Sequence, residues 1–325
     1  MPNFIGSRAE VGIAKEGVRG TAVAPTYWLR PSEFKMDEAI DHSIEESQRG
    51  VIEDSPDLQV VGLYAQGEVT MPMRDLPLGL LLLSTYGSVA SVLKGGEVAV
   101  FNHTFSVQNS NQHQSLTLHL KTPVSGKDFT LIMISKLELM MELGKHIIAK
   151  ASVRSKAGAV QVRVPSYSTS ENIFVPQHCT FKTAVNLAGL GAASPINVRV
   201  VKLAFNKNVE DDRALGNLNQ IDINNKGFTC EGEFEMTYQD DANITALMAG
   251  TMKALRITVS NTDVTIGAAS NPTLQVDFAK VKFLAVDRKF VKGGIVTQLV
   301  KFKAFYSDSD SVMTTAVLTN IATSY

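Results

Sequence analysis

Gly62-Leu63-Tyr64-Ala65-Gln66-Gly67-Glu68-Val69-Thr70-Met71-Pro72-Met73-Arg74-Asp75 returns 165 positions later as Gly227-Phe228-Thr229-Cys230-Glu231-Gly232-Glu233-Phe234-Glu235-Met236-Thr237-Tyr238-Gln239-Asp240. Apolar residues alternate in the same phase in both stretches, Val69, Met71 and Met73 in the first and Phe234, Met236 and Tyr238 in the second. Period-two alternation marks a strand with one face buried and the other wet. Identical phase at a constant spacing argues that the chain carries one module twice.

The residues after each stretch match as well. Asp75 can cap a short helix, with Pro77 in its first turn, the apolar run Leu80 to Leu83 in its body and its end near Gly87. Asp240 or Asp241 opens a similar short helix through Ile244 to Met248, stopped at Gly250. Further on, Leu116-Thr117-Leu118-His119-Leu120 pairs with Leu255-Arg256-Ile257-Thr258-Val259 at an offset of 139, and Lys136 to Met141 pairs with Lys280 to Ala285 at 144. The fall from 165 predicts a longer insertion between helix and strand in the first copy. Upstream, Ser32-Glu33-Phe34 running into the acidic stretch Asp37 to Glu46 matches Leu203-Ala204-Phe205 running into Glu210-Asp211-Asp212.

Between the copies, Pro165, Pro176, Pro195 and the Gly189-Leu190-Gly191-Ala192 run read as a connector with one or two edge strands. The expectation is a mainly β chain of two tandem β-barrel or β-sandwich domains, each with one short α-helix and long loops. The first domain, with an N-terminal arm and a long loop, covers 1–154, the connector 155–196 and the second domain 197–325.

A chain of 325 residues with 44% hydrophobic and 19% charged side chains has material for packed cores of this kind. Its 31 basic and 32 acidic residues leave a net charge of −1, without the basic excess that gripping phosphates demands. The N-terminus shows no apolar run of signal-peptide length, and Leu78 to Leu83 is far short of a bilayer span, so neither secretion nor membrane insertion is expected. Cys179 and Cys230 belong to no ligand spacing and read as two reduced thiols.

Motifs that carry chemistry are missing. His42, His103, His113, His119, His146 and His178 show no His-x-x-x-His spacing and read as surface or inter-strand residues. Gly189-Leu190-Gly191 has Ser194 where a dinucleotide loop needs its third glycine. The carboxylates from Asp37 to Asp57 have no companion cluster of His or basic residues, which favours a solvated acidic loop over the paired acids of a glycoside hydrolase. No catalytic, cofactor-binding or metal site is expected, and no enzyme.

Gly12-Ile13-Ala14-Lys15-Glu16 followed by Arg19-Gly20-Thr21-Ala22-Val23-Ala24-Pro25-Thr26-Tyr27-Trp28-Leu29 resembles the opening of siphovirus tail tube proteins. Gly50-Val51-Ile52-Glu53-Asp54-Ser55, the strand Gly67 to Met73, His103-Thr104-Phe105, Asn109 to His113 and the closing Leu318-Thr319-Asn320 come in the same family order. The resemblance implies a structural virion protein, the major subunit of a bacteriophage tail tube, whose β-domains line an inner barrel and send a long loop to the neighbouring ring. Six domains make a ring in related tubes, so two per chain imply a homotrimeric, pseudo-hexameric ring stacked helically, with a homohexamer as the alternative. The implied partners are further copies of the chain, the tape measure, tail tip and tail terminator proteins, and double-stranded DNA that passes to the host without specific binding. The implied location is the virion tail, after assembly in the host cytoplasm.

Gly50, Val51, Ile52, Glu53, Asp54 and Ser55, within the long segment Ser47 to Val60, are the candidate inter-ring loop. Glu68, Thr70, Glu233 and Glu235, which share the polar phase of the repeated strand, are the candidate lumen-facing residues, against the alternative that they face outer solvent. Two other readings stay open: a tandem β-sandwich adhesin or binding module, which the single Trp and missing secretion signal weigh against, and another ring-forming tail part such as a tail terminator.

Overall fold

The computed structural model describes residues 3–54 and 57–325; Met1, Pro2, Ser55 and Pro56 lie outside the described residues, Ser55 among them from the candidate loop. The chain is mainly β. Its first half forms β1 (Glu10–Lys15), β2 (Tyr27–Leu29), β3 (Glu33–Ile44), β4 (Leu58–Pro72), α1 (Asp75–Tyr86), β5 (Gly87–Leu93), β6 (Phe101–Val107), β7 (Leu116–Lys121), β8 (Gly126–Glu142), β9 (Ile148–Ser155) and β10 (Ala159–Val160). The second half forms β11 (Cys179–Ala184), β12 (Pro195–Ile196), β13 (Val198–Asp212), β14 (Asp222–Thr237), α2 (Ala242–Met248), β15 (Lys253–Ser260), β16 (Thr273–Lys289), β17 (Thr297–Phe305) and β18 (Thr314–Asn320). The stretch 155–196 thus holds three short strands, β10 to β12.

All ladders between these strands are antiparallel. In the first half β2 pairs with β1, β1 with β7 and β7 with β8. The far side of β8 takes β9 and then β10 end to end, and β9 continues through β4 to β3. In the second half β12 pairs with β11, β11 with β15 and β15 with β16. β16 takes β17 and β18 end to end, and β17 continues through β14 to β13. The halves differ by one hairpin, β5–β6, which occupies the insertion expected after the first helix and adds β6 to β18. β8 pairs with β13 and joins everything into one sheet.

The correspondence extends to register. Glu68 stands between Lys35 and Ser152, and Glu233 between Lys202 and Lys301. Gly67 and Gly232 each let β4 or β14 approach its neighbour closely: an added Cβ would sit 2.3 Å from the Lys35 carbonyl oxygen in one and 2.8 Å from that of Lys202 in the other. The β8–β9 bulge between Ile134 and Lys136 matches the β16–β17 bulge between Phe283 and Ala285, an offset of 149. The bulges at Leu116/Leu118 and Lys253/Leu255 correspond at 137. These offsets correct the 144 and 139 read from the sequence, and β3 corresponds to β13 at 167 (Lys35 to Lys202), which displaces the match of Phe34 to Phe205. Alternation fixes a strand only to within shifts of two residues, and a bulge flips the phase outright, so sequence pattern slid along these long strands.

One face of this sheet builds the core. Directly paired residues Phe34, Val69, Ala151, Leu137, Phe205 and Cys230 form one apolar row and Met71, Ala149, Leu139 and Leu203 another, each of them in the main core or packed on it. α1 lies in this core with all twelve residues buried, which explains why its sequence is apolar on every side rather than striped. Gly87, at φ 92°, ends it in the left-handed conformation that glycine adopts without strain. Asp75 is the first helical residue rather than the cap: Arg74 holds the cap position, and the Asp75 carboxylate instead accepts from the backbone N–H (2.7 Å) and Nδ2 (2.8 Å) of Asn172. α2 buries only Ala246.

Lys207 of β13 is buried beneath the end of α1, its Nζ donating to the Ser84 carbonyl at 2.7 Å. Desolvation, with Arg19 nearby, pushes its ammonium down to about 7 from 10.5. Between those two values the unfolded lysine holds a proton that the folded one has released, so folding stability climbs with pH across that window. Chemical unfolding of Lys207→Met should lack this climb, a difference on the order of 4 kcal/mol between the two ends of the window. Parallel stability curves for the two proteins would contradict it.

Candidate functional face and sheet edges

The wet face of the long sheet is built from four successive rows of directly paired residues. The longest runs Glu33, Thr70, Lys150, Glu138, Ala204, Glu231, Lys303, Lys282 across eight strands in the order β3, β4, β9, β8, β13, β14, β17, β16. On one side of it runs Lys35, Glu68, Ser152, Lys136, Asn206, Thr229. On the other side runs Pro72, Ile148, Met140, Lys202, Glu233, Lys301, Ala285, and beyond it Glu142, Val200, Glu235, Leu299, Asp287. The structure therefore brings Glu68, Thr70, Glu233 and Glu235 together on one face of one sheet, opposite the core.

That face is nearly neutral. Its four rows hold eight carboxylates and seven lysines, arranged so that the charges meet across strands. Glu68 accepts from Lys150 Nζ at 3.0 Å and Ser152 Oγ at 3.2 Å, and the Lys150 hydrogen bond holds its carboxyl below the usual carboxylate range. The same bond raises Lys150. Glu233 accepts from Lys202 at 2.7 Å, which raises the Lys202 ammonium, and Glu231 meets Lys303 at 3.0 Å. Sequence reading finds the glutamates through the repeated strand and misses the lysines, because these come from β9, β13 and β17, whose register is not legible in the sequence.

Two edges of the eight-strand sheet are open among the described residues. β3 pairs only with β4. Beyond Val281, β16 pairs only with β17. Sheet edges of this length invite pairing with another chain.

The candidate loop occupies the turn between β3 and β4. Glu45 N–H donates to the Asp57 carbonyl at 3.1 Å and pinches its base, so the loop closes at Asp57 and the last residues of the expected segment, Leu58 to Val60, belong to β4. Within it Gly50 takes φ 75°, and Val51 and Ile52 stand out in solvent.

Four of the histidines are used inside the fold among the described residues. His119 pairs with Asp128 at 2.6 Å, His103 with Ser91 and Asn320, His113 with the Gln108 carbonyl and His178 with Asp263 at 3.1 Å, all four buried. Cys179 and Cys230 are free thiols, and burial pushes Cys179 up to about 11.

The sequence profile of one family, described as phage tail tube protein, matches residues 6–316. No curated protein matches the chain.

Proposed function

The chain belongs to the phage tail tube protein family, a structural family of the virion tail, and from that premise we propose that it is the major tube subunit of a long, non-contractile siphovirus tail. Each chain supplies two copies of one tube domain, and three chains close a pseudo-hexameric ring. Rings stack helically into the conduit through which DNA is ejected. The observation that carries this reading is the pairing order β2–β1–β7–β8 with β9/β10 and β4–β3, which recurs strand for strand as β12–β11–β15–β16 with β17/β18 and β14–β13. On this reading the second domain begins at β11, near Cys179, and the connector is the stretch between β10 and β11.

The β8–β13 ladder, which joins the two halves inside the chain, is the pattern for the joint between chains. The open edge of β16 takes the open edge of the next chain's β3, and heterologous contacts of this kind close into rings. The charged face then lines the lumen, where paired Glu and Lys present DNA with little net charge and no continuous basic track to hold it. The candidate loop at Gly50 to Ser55 reaches the adjacent ring. Tape measure, tail tip and tail terminator proteins meet the ends of the tube. Negative-stain electron microscopy of the concentrated protein tests the reading: hollow tubes are expected, and a protein that stays monomeric alone and with co-expressed tail proteins would overturn it.

A further inference from the structure

We infer that adjacent chains meet at a second seam, outside the β16–β3 joint: α2 of one chain packs against residues 160–164 of the next. This inference rests on the ring reading above. Within the chain, α1 is covered on one side by its own β8 and on another by β18 of the other half. β18 holds α1 at both ends, through Tyr86 Oη with Thr314 Oγ1 at 3.3 Å and through Asn320 Nδ2 donating to the Asp75 carbonyl at 2.8 Å. α2 lies on β16 as α1 lies on β8, yet among the described residues no second strand covers it as β18 covers α1. Met248 is 83% exposed and Met252 48%.

The counterpart of β18 in the first half is β10 and the extended chain that continues it. Asp128 faces His119 on β7 and Ala159 on β10, whereas Asp277 faces Arg256 on β15 and Thr315 on β18. Matching the two acids places Val160, Val162 and Val164 at the positions of Ala316, Leu318 and Asn320. The latter three are 0% exposed; the valines are 76%, 78% and 85% exposed. An alternating row of valines in solvent and a helix whose last residue, Met248, is exposed together with Met252 in the link to β15 are the two halves of a contact that the chain makes once internally and leaves open at its ends. The occupant of each surface is therefore a second copy of this chain. The β5–β6 hairpin has no counterpart in the second half, so the seam between chains lacks its two strands and is thinner than the joint within the chain.

Chains carrying Val162→Cys and Met248→Cys together should, when assembled and oxidised, run as covalently linked trimers on denaturing gels without reductant, while either single variant should not. Val162→Asp and Met248→Asp alter exposed positions, so each should melt like the wild type and lose at least about tenfold in ring yield, the fold-change of a contact worth about 1.4 kcal/mol. Wild-type ring yield in both Asp variants with no cross-linking in the double-Cys chain would overturn the seam and leave the ring standing. Absence of rings from the wild type would overturn the ring and the seam with it.

Discussion

Asp37→Pro and Glu38→Pro, made separately, should part ways: one should melt like the wild type and form no rings, the other should lose stability. Successive N–H groups of a strand point to opposite edges, so one of these two donors serves the β3–β4 ladder and the other faces the open edge. Their counterparts in the joint within the chain, Ala204 and Phe205, lie opposite Glu138 and Leu137 in the β8–β13 ladder. Proline removes the donor and is tolerated in a strand only on an unpaired side. A ladder hydrogen bond contributes about 1 kcal/mol net. It enters at each of three seams, so the ring constant should fall roughly a hundredfold before any steric cost. Glu38→Ala controls for the lost contacts of that carboxylate to Lys127 and the Gly158 N–H. Tubes from both proline variants at wild-type yield would contradict closure through β3.

Virions carrying Glu68→Lys with Glu233→Lys should assemble and eject slowly. Each substitution changes a negative charge to a positive one on a face whose rows now nearly balance. The change also strips Lys150 and Lys202 of their partners. Duplex DNA carries about one negative charge per 1.7 Å of axis, and binding through displaced counterions weakens steeply with salt. Ejection followed by dye fluorescence should slow by about tenfold or more at low salt and recover toward the wild-type rate as salt is raised. Ejection at the wild-type rate across salt would place these glutamates elsewhere than the lumen.

Legibility in the sequence depends on what kind of information each element carries. The repeated strand is legible, because Gly67 and Gly232 are fixed by close backbone contact and the apolar phase by the core. The mainly β class comes with it. Register is not: Lys136-Leu137-Glu138-Leu139 and Lys280-Val281-Lys282-Phe283 look alike, but bulges at Lys136 and Ala285 put them five residues out of correspondence, an offset of 149 against 144. β11 and β12 are legible only as the edge strands of a connector, and their membership of the second half is not. They are short, separated by a turn of 3-10 helix, with Pro176 just ahead of β11 and Pro195 opening β12, so local composition reads as a connector while pairing with β15 decides their fate. The four candidate face residues can be found because alternation sets the side of a strand. The lysines that neutralise them depend on which strands become neighbours, which is tertiary information.

Class averages of assembled particles viewed down their axis decide whether the tube is built from two domains per chain and three chains per ring. Six densities around a hollow centre, in three alternating pairs, are expected, because the β5–β6 hairpin thickens every second joint. Six equivalent densities, or a ring of six whole chains, would contradict that arrangement.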